Sequence, residues 1–486
     1  MNTQRIPKRI WRTLALALVA TAVTASTSAQ VSLASSAGCH PADAPPASNA
    51  PPTSLTTVRD AFRCVLAHYP DRRRLDDRLL LHGAFAAMVA YLGQHDLDQA
   101  DATLPPLQGN GNTDWTAFAR TFATISAHLP VQGLSHAAAP AAQLAAAAIE
   151  GLIASLNDDH AHYIPTAATA SAGSKKIVRG PAGQSQNERV ALGLETSYPS
   201  HPTAVPPTAP LFIVGVDPHS PAARAGLRAG DVITAIDGST PFTAGVANEG
   251  VITRISSGSA VRLAVRRPRT GHTWSLLLKP ASYPLPQNVS VRLLAGNIAY
   301  LRIRQFLPGA SDQALETLHR LLRHHHLAGL VLDLRGNGGG FTTEPPRLLG
   351  AFVHNAVMTR FIDGNGHRTV QRTDATVPLL HLPLVALIDS GCASACDATA
   401  DAIHDLHLGR LVGARTAGSV SGPASIFALP DGSLIALPLS VMTGADGEIV
   451  DGIGIPPNDT APVTANALSA GDDRGLTQAL RDLGVH

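Results

Sequence analysis

The chain has 486 residues, 45% hydrophobic and 15% charged, with a formal net charge of +1. That length supports two or three domains with their own cores. The near-neutral balance argues against a nucleic-acid binder, and the composition excludes collagen, coiled coil and wholesale disorder.

At the N-terminus, Arg5, Lys8, Arg9 and Arg12 precede an apolar run from Leu14 to Val23 and then small residues up to Ala29. This order predicts a signal peptide over 1–29, and the run is short for a membrane span. The alternatives are an uncleaved anchor, or a lipoprotein acceptor at Cys39, where Ser36 replaces the expected aliphatic residue. No other apolar run approaches 20 residues. The expectation is therefore an exported protein, periplasmic or secreted, without membrane insertion after signal removal. The four cysteines are Cys39, Cys64, Cys392 and Cys396. An even count in an exported chain allows disulfides but leaves the pairing open. Cys39–Cys64 with Cys392–Cys396 is the simplest pairing, and the other reading makes Cys64 a buried helix residue.

Residues 30–55, rich in Ala, Pro and Ser, predict a flexible lead-in. Residues 56–164 read as helical: Val58, Phe62, Val65 and Leu66 recur at helix spacing, as do Leu79, Leu80, Phe85, Met88 and Leu92. An Ala-rich run from Pro140 to Leu156 leads into Asn157-Asp158-Asp159-His160-Ala161-His162-Tyr163. Residues 165–188 predict a linker. Over 189–282 short apolar strands (Leu211–Val216, Val232–Ile236, Val261–Val265) alternate with glycine-bounded turns. From 290 to 465 strands and helices alternate, which predicts an α/β layered core. Leu327–Leu334 ends in Arg335-Gly-Asn-Gly-Gly-Gly340, Leu384–Ile388 leads to a helix over 394–405, and Ile426–Val441 reads as a hairpin around Asp431-Gly432. Residues 466–486 form the C-terminal tail.

Ser390-Gly-Cys-Ala-Ser394-Ala-Cys-Asp397 stands at a strand-to-helix junction, where small residues admit a substrate backbone and the helix start offers unpaired N–H groups. A serine there can attack a carbonyl with N–H groups near the oxyanion, although small residues at a helix start are also common without any function. Gly336–Gly340 lacks the Lys-Ser/Thr end of a P-loop, and both G-x-S-x-G and H-E-x-x-H are absent. His324-His-His326 reads as the polar end of a helix, so no metal and no cofactor is expected.

The segment SPAARAGLRAGDVITAIDG (220–238) resembles the centre of a PDZ domain, and Leu192, Gly193 and Leu194 resemble its carboxylate-binding loop. GLVLDLRGNGGG (329–340), the run 386–418 and DGIGIPPND (451–459), in that order behind the PDZ-like block, resemble the C-terminal processing (tail-specific) serine peptidases. The resemblance implies a multidomain α+β protein: a helical N-terminal region, a small β-rich PDZ domain and an α/β layered catalytic domain of the ClpP/crotonase type. It implies Ser394 as nucleophile and the N–H groups of Gly340 and Ala395 as oxyanion donors. Asp405 matches an acidic position of that helix, where a solvated face is the plainer reading.

One feature departs from that pattern. The lysine-dyad members place a lysine in a T-x-G-K setting, which here is Thr416-Ala-Gly-Ser419. The chain has 33 arginines but only four lysines (Lys8, Lys175, Lys176, Lys279), so none follows Lys279. A Ser-Lys dyad within this domain is excluded. The histidine-using branch of the superfamily, the tricorn-core and chlamydial type, takes its base from the segment before the PDZ-like module. Leu156–Tyr163 resembles that setting, which implies His160 as base, with His162 as the alternative. Asp451 stands near that branch's glutamate position, one methylene shorter. The resemblance thus implies an exported serine endopeptidase whose PDZ domain binds protein or peptide substrates with exposed C-termini. The competing readings are an inactive peptide-binding protein and a small-substrate esterase.

Overall fold

The computed structural model describes residues 39–42, 50–71, 75–100, 102–130, 139–158, 160–166, 188–199, 203, 205–420, 422 and 424–485. The expected signal peptide, most of the lead-in and nearly all of the linker lie outside the described residues. His40 and Pro41, within the expected lead-in, instead form a short strand paired with Ala428 and Phe427. The disulfide Cys39–Cys64 ties that strand to the first helix.

Four helices, Leu55–His68, Asp77–Gln94, Gly111–Ala127 and Pro140–Ala154, build the N-terminal region. The second and fourth cross closely at Gly83 and Gly151. A Cβ on Gly151 would lie 2.3 Å from the Gly83 carbonyl oxygen, so glycine is what permits the approach. This helical core is completed by a hairpin from far along the chain. Ala424–Ala428 pairs with Leu434–Pro438, which pairs in turn with His162–Ile164. Phe427, Ile435 and Leu437 of that hairpin pack with Phe62, Leu81, Ile149 and Leu152.

The PDZ-like block follows its expected elements. Strands Val232–Ile236, Val261–Arg266 and Thr273–Leu278 form an antiparallel sheet around Leu211, Ile213, Leu227, Ile233 and Leu263. The strand expected over 211–216 is shorter, Ile213–Val216.

The third core is a six-stranded sheet in the order Val289–Leu294, Ile298–Ile303, Gly329–Asp333, Leu384–Ile388, Arg410–Gly413, Asp459–Thr460. The first pair is antiparallel and the rest are parallel. Every residue of Gly329–Asp333 and of Leu384–Ile388 is buried, as expected for parallel strands covered on both faces. Leu330, Leu332, Ala386 and Ile388 face the helices Ala310–Leu322 and Ala395–Asp405, while Val331, Val385 and Leu387 face Ala479 and Leu476. The stretch expected as a tail therefore supplies two helices, Ala465–Ala470 and Arg474–Asp482, and the second covers the sheet. Leu476, Leu480 and Leu483 at helical spacing form its apolar face. The register Leu330↔Leu384 and Asp333↔Leu387 sets the carboxyl ends of the two central strands side by side. The glycine loop leaves one of those ends and the Ser394 turn the other.

Candidate active site

Two hydrogen bonds tie the two loops together, and a third, from Gly391, shapes the serine loop. Asp389 accepts from the N–H groups of Gly336 (2.8 Å) and Gly391 (3.0 Å), and the Ala393 N–H donates to the Asn337 carbonyl (3.0 Å). Asn337 is fully buried and organises the glycine run from within. Its Nδ2 donates to the Ile303 carbonyl and its Oδ1 accepts the Gly339 N–H at 2.8 Å. Behind the loop, Arg335 forms fork-like pairs with Asp333 and Asp473 at 2.8–2.9 Å. Burial pushes the Asp333 carboxyl up, but the Arg335 guanidinium outweighs it and holds the carboxyl below the usual range.

Ser394 caps the helix Ala395–Asp405 with φ 57° and ψ −119°, a region that a residue with a Cβ seldom enters. Such strain is kept where surrounding contacts over-determine it. Here the Ser394 N–H donates to the Ser419 carbonyl (2.8 Å) and to Asp397 Oδ2 (3.0 Å). Gly339 lies directly against the serine. A Cβ on it would sit 2.7 Å from Ser394 Cβ and 2.9 Å from the Ala395 nitrogen. Because Asn337 takes the Gly339 N–H, the next amide, that of Gly340, has no acceptor among the described residues, and neither has that of Ala395. Two free N–H groups thus belong to segments in contact at the serine, the arrangement an oxyanion requires. Cys392 and Cys396 are joined by a disulfide, closing the turn on both sides of Ser394.

Asp397 is a residue the sequence reasoning did not single out. It is fully buried and accepts three backbone N–H groups, from Ser394, Gly418 (2.9 Å) and Ser419 (3.1 Å). Burial outweighs these bonds and raises its pKa to about 6. It joins the serine turn to the segment where the lysine-dyad pattern would carry its lysine. The signal was present: Ser394-x-x-Asp397 is the S-x-x-D pattern of a helix start.

His160 follows the fourth N-terminal helix. Its backbone N–H donates to Asp158 Oδ1 (2.9 Å), its Nδ1 lies 3.8 Å from the same oxygen, and Asp158 accepts the buried Tyr69 hydroxyl at 2.8 Å. No hydrogen bond joins His160 to Ser394 among the described residues. His160 stands in a turn two residues before the strand His162–Ile164, whose partner Leu434–Pro438 pairs with Ala424–Ala428. His162 itself is an exposed strand residue. Asp451 Oδ1 accepts the Val420 N–H at 3.3 Å, and Gly452 N–H bonds the Gly418 carbonyl, so this segment braces the same loop.

Farther along the helix the structure corrects one expectation. Asp405 does not lie on a solvated face: its side chain is 8% exposed and pairs with His404. One turn earlier, Asp401 is buried, and burial with the neighbouring Glu448 and Asp405 carboxyls pushes its pKa up to about 9. His324, His325 and His326 are exposed beyond a helix end, as expected.

On the PDZ-like side, Leu192, Gly193 and Leu194 line a cavity of about 430 Å³ that Arg302 and Arg304 also line. Arg302 lies in the strand Ile298–Ile303 and Arg304 follows it; both pair with Glu195, and Arg304 also lies 3.5 Å from Asp217.

Residues 297–460 match peptidase family S41 and residues 212–267 match the PDZ domain. The stretch that matches S41 thus follows the stretch that matches a PDZ domain. It is 28% identical over 324 residues to carboxyl-terminal-processing peptidase 2, chloroplastic, of Arabidopsis thaliana, covering 65% of this chain and 60% of that one. It is 25% identical to the carboxy-terminal processing protease CtpB of Bacillus subtilis, covering 64% and 61%. The aligned part thus spans about three fifths of these relatives' lengths. The photosystem II D1 C-terminal processing protease shares the fold at TM-score 0.54 and 22% identity, over 88% of this chain and 97% of that one. A CPAF mutant shares it at TM-score 0.51 and 12% identity. The matched S41 region contains Ser394, Gly340, Ala395 and Asp451, whereas His160 lies outside it.

Proposed function

We propose that this chain is an exported serine endopeptidase that hydrolyses peptide bonds of protein substrates and receives their C-terminal segments in its PDZ domain. The observation that carries the reading is the strained Ser394 turn pressed against Gly339, with the Ala395 and Gly340 N–H groups left without acceptors. In the proposed reaction Ser394 Oγ attacks the carbonyl carbon. His160 takes the hydroxyl proton and returns it to the leaving amine, the general-base and general-acid role that imidazole commonly fills. The two N–H groups stabilise the tetrahedral oxyanion; loss of one such donor raises a barrier by about 2.7–4 kcal/mol. Asp158, held by Tyr69, accepts the His160 backbone N–H and so fixes the turn that carries the imidazole. Asp451 positions the loop that holds Ser419 and Val420.

In the PDZ cavity a peptide would add as a strand with its carboxylate on the N–H groups of the Leu192–Leu194 loop. Arg302 and Arg304, already facing carboxylates, suit an anionic end.

The absence of a lysine beyond Lys279 favours one other reading, a peptide-binding protein without catalysis. An unstructured protein substrate with a free C-terminus, the same chain with an amidated C-terminus and a small chromogenic ester separate the readings. The peptidase reading expects cleavage of the first, slower cleavage of the second, and none by Ser394→Ala. Peptide binding without cleavage supports the inactive reading, and ester hydrolysis without proteolysis supports an esterase.

A further inference from the structure

The helix that begins at Ser394 carries a second constellation which peptide hydrolysis does not use. Asp401 and Asp405 stand one turn apart on one face, and Glu448 reaches them from the turn after strand Ser440–Thr443. One oxygen from each lies within 4.8 Å of the others.

On electrostatic grounds this arrangement is unfavourable as it stands. Like charges four residues apart repel, and anions near a helix C-terminus oppose the macrodipole. Asp401 is 1% exposed, yet neither of its oxygens has a hydrogen-bond donor among the described residues. A buried carboxylate in that condition is costly and calls for a compensating group. Asp405 alone of the three has an ion-pair partner there, His404 at 3.0 Å, on an exposed side chain. The turn closes over the trio: Gly444 N–H bonds the Glu448 carbonyl at 3.0 Å. A Cβ on Gly444 would fall 2.5 Å from Asp401 Oδ2 and closer still to Glu448 Oε1, so glycine leaves open the space into which the carboxylates converge.

We propose that Asp401, Asp405 and Glu448 bind one calcium ion, which clamps the end of the Ser394 helix to the 444–448 turn. The donors are all oxygen, the set that hard cations select. Three carboxylates divided between a helix and a surface turn suit calcium's irregular, water-completed coordination better than the strict octahedron of magnesium. The clamped turn runs directly into Val450–Gly454, where the Gly452 N–H bonds the Gly418 carbonyl beside the Ser394 turn. The rival occupant is a proton shared between Asp401 and Glu448.

The test uses the full mature chain, stripped of metal and dialysed against CaCl2 or MgCl2, with bound calcium and thermal midpoint as readouts. The proposal expects one calcium per chain with Kd in the ~10⁻⁴–10⁻³ M range of extracellular sites. It also expects a midpoint raised by several degrees and a smaller response to magnesium. Asp401→Asn and Glu448→Gln should each weaken calcium binding at least tenfold and remove the thermal shift. Glu448 lies on an exposed turn, so its variant is informative even if Asp401→Asn fails to fold. No bound calcium up to ~10 mM, an order above the weakest such sites, would overturn the proposal in favour of the shared proton. Undiminished binding by Glu448→Gln would overturn it equally.

Discussion

Ser394 depends on a few neighbours whose contributions can be separated. Gly339 is the least replaceable. Gly339→Ala would press a methyl group onto Ser394 Cβ and the Ala395 nitrogen at a φ of +91°, so activity should fall by about 10²-fold or more. Steady-state kinetics with circular dichroism would distinguish this from unfolding. Asp397 makes a pH prediction. Its pKa rises from 3.8 to about 6 on folding, so between those values the folded state holds more protons than the unfolded one. Its contribution to stability is therefore present below pH 3.8 and declines as pH rises through 6, by about 3 kcal/mol in all. Denaturant titrations should find Asp397→Asn gaining on the wild type by that order between pH 4 and pH 7. A constant difference would contradict the account. Asp158→Asn should lower kcat by about 10–100-fold with little change in KM, because it disorients His160 without touching substrate.

The proposed nucleophile, both proposed oxyanion donors and the histidine segment were legible as residues. Asp158 and Tyr69 were not, and Asp397 was legible only as a helix-start residue, because burial and the N–H groups it takes from Gly418 and Ser419 arise only in the folded chain.

At the level of elements, parallel pairing of two wholly buried strands sets the glycine loop beside the Ser394 turn, and that pairing was readable as apolar runs ending in glycine or small residues. What pins the loop from behind was less readable. Arg335 reaches Asp473 across 138 residues to the start of the last helix. Arg335→Ala strands the fully buried Asp333 carboxylate and should cost about 3–5 kcal/mol in equilibrium unfolding. The last helix declares itself through the Leu476, Leu480 and Leu483 spacing, yet a stretch after the last expected motif reads as a tail unless that spacing is weighed.

For the whole molecule, the N-terminal helices and the S41-matched region share a core. The hairpin Ala424–Pro438 belongs to that region yet completes the helical core, and through it His162–Ile164, just after His160, joins the same sheet. Such pairing between distant segments has no local sequence signal. A chain beginning after residue 188 would expose Phe427, Ile435 and Leu437. It should be inactive and should bind a hydrophobic dye, whereas the mature chain should not.

The central claim is that Ser394 is a nucleophile activated by His160 in the absence of a lysine. A fluorophosphonate added to the purified mature protein, with the adduct located by intact mass and peptide mapping, tests it most directly. The account predicts a single adduct on Ser394, lost in Ser394→Ala and strongly slowed in His160→Ala. Labelling of Ser394 at an unchanged rate in His160→Ala, or no labelling of the folded wild-type protein, would contradict it.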